Sequence, residues 1–116
     1  MTIVKKFSSA AAAAAAPTLT TTDITADYTL QVGDIRNEVD ATSGNITITL
    51  PAITSSFKNK DYIVFKRIDT TMNTVTFVGT ASNFEDENIQ IGNDPQLGVL
   101  VIYASNSNIW RTRDIL

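Results

Sequence analysis

The clearest signal along the chain is strict alternation. Residues 46–50 read ITITL, with Ile46, Ile48 and Leu50 on one side and Thr47 and Thr49 on the other, the period of a half-buried strand. Pro51 closes it, because proline has no N–H to offer a ladder. Upstream, residues 19–32 (LTTTDITADYTLQV) are rich in β-branched side chains, and DIRNEVDA (34–41) spaces Ile35, Val39 and Ala41 in steps of even length. TSGN (42–45) is turn chemistry. A polar loop, TSSFKNK (54–60), leads to YIVFKRI (62–68), apolar on both faces until Lys66, as a strand near the middle of a sheet must be. DTTMN (69–73) is a tight connection to TVTFVG (74–79). Residues 80–96 form the longest irregular stretch, with a short strand expected at 88–91. GVLVIYA (98–104) is the most apolar run, and SNSN (105–108) turns it into IWRTRD (109–114). About eight short strands separated by frequent turns predict an all-β domain, a small antiparallel sandwich or barrel-like fold. It is expected over residues 18–116, with no long repeat and no helix of consequence after Pro17.

Residues 1–17 (MTIVKKFSSAAAAAAAP) follow a different rule. Alanine is too weakly hydrophobic for a good secretory signal, and no segment approaches the roughly 20 apolar residues of a membrane span. As a helix the run is well suited, with Ser8 or Ser9 as cap, Ala10 to Ala16 as body and Pro17 as stop. It is nevertheless below the roughly 12 residues at which an isolated helix becomes marginal. The expectation is an Ala-rich N-terminal arm that orders against a neighbour.

Composition narrows the chemistry. The chain has no Cys, which removes disulfides, thiolate nucleophiles and zinc thiolate sites. It has no His, which removes the imidazole general base, the Ser-His-Asp relay and nearly every transition-metal site. The net charge of −3 argues against a phosphate backbone as partner, so no nucleic acid and no membrane are expected. Carboxylates remain, at Asp23 and Asp27 and at Glu85, Asp86 and Glu87. Adjacent loop residues cannot face each other across a cleft as a general acid and its partner must, so 85–87 reads as a solvated acidic loop. Asn93, Asp94 and Pro95 supply oxygens without the spacing of an EF-hand. No catalytic residue, metal site or cofactor is therefore expected. The five glycines stand singly near strand ends, as turn or bulge positions. Strand parity puts Trp110 in the core and Arg111 and Arg113 on the opposite face. Tyr28, Tyr62 and Tyr103 read mostly as core. Apolar positions on both faces of 62–68 and 98–104 exceed what one thin core covers, and such surplus marks an interface, here expected to be a homotrimer.

The segments ITADYTLQVGDIRNEVDATSGNITITLP (24–51), DYIVFKRIDTTMNTVTFVG (61–79) and GVLVIYASNSNIWRTRD (98–114) resemble, in this order, a small domain recurrent in tailed-phage virion proteins: head fibres, capsid decoration proteins and tail-fibre modules. The resemblance spans about 90 of the 116 residues. Asn106 replaces the glycine usual before the last strand, the loop 80–96 is longer and more acidic, and the arm lies outside the likeness. The resemblance implies a non-enzymatic virion protein on the capsid exterior, with the major capsid protein or a neighbouring virion protein as partner. Ile3, Val4 and Phe7 are the expected docking anchors of the arm, with Lys5 and Lys6 adding attraction to an acidic shell. The alternatives are a tail-fibre or baseplate component, or a module making weak contacts with host-surface glycans.

Overall fold

Alternation such as that of residues 46–50 needs an apolar layer to face, and a second sheet supplies it. The computed structural model describes residues 21–58, 62–93 and 98–116. In chain order the strands begin β1 (Thr21–Ile24), β2 (Tyr28–Thr29), β3 (Arg36–Val39), β4 (Ile46–Leu50) and β5 (Ile63–Arg67). They continue with β6 (Val75–Gly79), β7 (Ile89–Gln90), β8 (Val99–Ala104) and β9 (Trp110–Ile115). The fold is all-β. One sheet runs β1-β3-β5-β8-β9 and the other β2-β4-β6-β7. The expected arm, including Ile3, Val4, Lys5, Lys6 and Phe7, lies outside the described residues.

The pairing differs from the antiparallel expectation. β1, β3 and β5 pair in parallel, as do β2, β4 and β6. Only β7, β8 and β9 are added antiparallel. From β1 to β6 the chain therefore crosses from sheet to sheet at each turn, stacking successive flattened coils. Turn chemistry did not reveal this, because a residue such as Gly44 (φ 155°) reverses the chain equally well within a sheet or over to the next one. The coils also hid from repeat analysis, since partner spacing changes from Thr21–Arg36 to Arg36–Val64.

Side chains brace the corners between coils. Asp27 Oδ1 accepts the Thr47 N–H at 2.8 Å, and Asn45 Oδ1 accepts that of Thr74 at 2.8 Å. Each sits just before an even-numbered strand and holds the strand of the following coil. Inside, Ile46, Ile48 and Leu50 are buried with Val75 and Phe77 of the same sheet and Ile63 and Phe65 of the other. The Phe65 and Phe77 rings meet edge to face at 4.8 Å, a contact between the two sheets. β5 is the middle strand of its sheet, as its apolar run required.

Trp110 is fully buried, as strand parity predicted. Its Nε1–H donates to the Pro51 carbonyl at 2.7 Å, so the indole leaves no polar atom unsatisfied. Phe57 meets its ring edge-on at 5.1 Å. Phe57 belongs to α1 (Ser55–Lys58), a single turn within the stretch read as a polar loop. One apolar residue among polar neighbours creates no periodicity, so its burial was invisible in the sequence.

The end of β5 carries the main buried polar cluster. Arg67 and Asp69, each with a 3% exposed side chain, pair through Nε–Oδ1 at 3.0 Å and Nη2–Oδ2 at 3.1 Å. Arg67 also donates to the carbonyls of Ile91 and Thr71 (3.2 and 3.1 Å) and of Asn73. Asp69 accepts the Ala41 N–H at 2.9 Å and the Thr71 hydroxyl at 2.6 Å. Three separate loops are thus tied to one ion pair whose hydrogen bonds are all internal.

Candidate functional site

The two outer faces of the molecule have opposite chemistry. On the four-stranded sheet, register aligns Thr29 with Thr49 and Val78, and Thr47 with Thr76 and Gln90. This face presents hydroxyls and an amide around the half-buried Val78. The inward side chains of β4 alternate with these threonines, so the same ITITL pattern that builds the core also wets the surface.

The outer face of the five-stranded sheet is apolar and aromatic at its centre. Val64 lies beside Val101 and Lys66 beside Val99, each half-buried while their neighbours Phe65 and Leu100 are fully buried. Tyr62, 48% exposed, meets Tyr103 edge to face at 5.7 Å. The Arg113 guanidinium lies 5.4 Å from the centre of the Tyr62 ring. Hydrogen bonding to Tyr62, and then the charge of Asp114, hold Arg113 protonated above its ordinary value. Arg111 stands opposite Tyr103 and pairs with Glu85 at 3.0 Å. At the other flank, Asp23 and Glu38 are register neighbours and both exposed. Thr21, Arg36, Glu38, Val64 and Lys66 line a shallow depression there.

Tyr62 and Tyr103 thus correct the reading of the tyrosines as core. Residues 62, 64 and 66 share one parity, so Lys66 already marked the side on which Tyr62 stands. Nothing comparable marked Tyr103, whose strand lacks a charge. Tyr28 does pack against the core, and its hydroxyl donates to Asp34 Oδ2 at 2.6 Å. Burial, followed by that hydrogen bond, pushes its pKa up to about 12. Asp34 also accepts the Thr22 hydroxyl at 3.1 Å and the Gln31 N–H at 2.8 Å.

The acidic loop is occupied by structural work. Glu85 Oε2 accepts the Thr112 N–H at 2.8 Å, and Glu87 Oε1 accepts the Gly79 N–H at 2.5 Å. Asp27 is bound at its corner, while Asp23 stands on the outer face. Among the described residues no group of three or more acidic side chains is placed to hold a metal ion. The left-handed position of the last hairpin turn belongs to Asn108 (φ 62°), so the chain makes this turn without the glycine that Asn106 replaces. Among the described residues no helix is long and apolar enough to cross a membrane. Comparison with protein-family models, with curated proteins and with solved structures finds no match to this chain.

Proposed function

We propose that this chain is a non-enzymatic structural protein of a phage virion, a capsid decoration or head-fibre protein. In this reading the β domain is a two-layer sandwich that associates as a homotrimer. The arm, residues 1–17, docks it on the major capsid protein or a neighbouring virion protein. The observation that carries the reading is the contrast between the faces: one half-buried, apolar and aromatic, the other hydroxyl-lined. A subunit held in an assembly needs one face to bury and one to keep wet. The order of the segments resembling phage virion domains supplies the context. The mechanism is burial and multivalent attachment, since three modest arm contacts on one body add through effective concentration.

Immunogold labelling of intact virions tests the location. Label spread over the shell is the expected result. Label restricted to the tail assigns the chain to a tail fibre or baseplate, and unlabelled particles overturn the virion reading. A glycan-binding module is the second reading, favoured by the Tyr62, Tyr103 and Arg113 cluster, an aromatic platform of the kind sugar rings stack on. It predicts binding on a glycan array that Tyr62→Ala removes.

A further inference from the structure

We infer that residues 83–85 form a detachable strap: closed, it fills the open edge of β9, and released, it leaves that edge free for strand addition. Among the described residues β9 is an outermost strand of its sheet. An antiparallel strand turns its backbone groups alternately toward and away from its neighbour, and Trp110 and Thr112 turn theirs away from β8. The strap takes them up. The Trp110 N–H donates to the Asn83 carbonyl at 2.7 Å, and the Glu85 N–H donates to the Trp110 carbonyl at 3.0 Å, the two bonds of a parallel bridge centred on Phe84. Glu85 Oε2 accepts the Thr112 N–H at 2.8 Å, in the place of a neighbouring strand's carbonyl. Just beyond, the β8–β9 pairing is bulged between Val101 and Ile102, which bends the rest of the edge away from strand addition. The stretch that the bulge leaves straight is the stretch that the strap covers.

Two observations mark the strap as detachable. Its roots are strained: Ala81 (φ 53°), Ser82 (φ 63°) and Asn88 (φ 67°) all lie in the left-handed region, which asparagine tolerates and alanine and serine disfavour. Opening the loop releases that strain. The last bond to β9 is made by a side chain, and the Glu85 carboxylate that makes it is 34% exposed, so water can take its place. Against these stand the buried Phe84 ring and the bond from Asn83 Nδ2 to the Pro51 carbonyl at 3.0 Å, which make the closed strap the resting state. A bare strand edge pairs with any extended backbone, and in a solution of this chain the backbone on offer is another copy. The strap is therefore an autoinhibitory contact, and its release starts edge-to-edge association.

Amide hydrogen exchange on the full chain tests the opening. The amides of Trp110, Thr112 and Glu85, bonded through the strap, should exchange together and about tenfold or more faster than that of Arg111, which faces β8. Exchange of the three at the rate of Arg111 overturns the inference. Ala81→Gly relieves the strain at the root of the strap and should slow the opening several-fold. Glu85→Ala removes the last bond and should speed it, with the circular dichroism of the parent retained. An opening that either folded variant leaves unmoved overturns the inference, and if Glu85→Ala fails to fold, Ala81→Gly decides. Light scattering tests what the strap guards. Glu85→Ala should associate beyond the state of the parent as concentration rises, and adding Thr112→Pro, which deletes an edge N–H, should restore that state. No association beyond the parent, or association that Thr112→Pro leaves unchanged, overturns the guarding role. Each variant is read against the parent, so the outcome is independent of whether the parent is a trimer.

Discussion

At the scale of single residues, the Arg67–Asp69 pair and Trp110 make the sharpest demands. The bond from Arg67, first, and those from Thr71 and the Ala41 N–H hold the Asp69 carboxyl well below the ordinary carboxylate range, against the opposing effect of burial. A carboxyl with a depressed folded pKa contributes stability that is fully present above its unfolded value of about 3.9. That contribution is lost as the pH falls through the folded pKa. Asp69→Asn leaves Arg67 buried without its counter-charge and should cost about 3–5 kcal/mol at pH 7. Urea unfolding from pH 7 downward checks the sign: the gap between parent and variant should hold to about pH 4 and then narrow. Trp110→Ala empties the space between Phe57 and Pro51 and should cost about 3–5 kcal/mol. In a domain of this size that lowers the Tm by more than about 10 °C, readable by calorimetry.

At the scale of elements, the stacked coils depend on their corners and on one close approach. Asn45→Ala removes the acceptor for the Thr74 N–H and should cost about 1 kcal/mol in denaturant unfolding. Asn45→Asp keeps an acceptor there and should retain most of the stability. At the end of β6, a Cβ on Gly79 would lie 2.5 Å from Asn83 Oδ1 and Glu87 Oε1 and 2.8 Å from the Phe84 Cβ. Gly79→Ala must push the 80–88 loop outward, and with it the Phe84 bridge to Trp110. Amide hydrogen exchange should show lost protection in that loop and at β9, with β4 protected as in the parent.

At the scale of the whole molecule, folding and attachment are expected to separate. The described core is built from Ile24 onward, so removing residues 1–17 should leave the Tm and trimer state nearly unchanged. The same deletion should abolish binding to undecorated capsids in a co-sedimentation assay. Binding by the full chain should weaken with added salt, through screening of Lys5 and Lys6. Truncated protein that falls to monomers would assign the arm to oligomerisation and overturn its docking role.

The sequence by itself determined the secondary structure class, the ends of ITITL, the central place of β5, the last hairpin and the burial of Trp110. Each depends on local periodicity or on one residue's backbone chemistry. Only the tertiary structure decided that the strands stack in parallel coils, because turn residues specify a reversal and not which sheet receives the next strand. It alone revealed Phe57 as core, since the partner that buries it, Trp110, is far away in the chain. The Arg67–Asp69 cluster was equally hidden: its nearby acceptors at Thr71 and Asn73 create no periodicity, and the Ile91 carbonyl and Ala41 N–H that complete it lie 24 and 28 residues away in the chain. The two outer faces lie between these cases. Threonine alternation announced the wet one, whereas the apolar one emerged only when register set Val64 beside Val101 and Tyr62 beside Tyr103. A strand buried on one side and half-buried on the other reads as apolar throughout, and which side is the core is settled by the layer that packs against it.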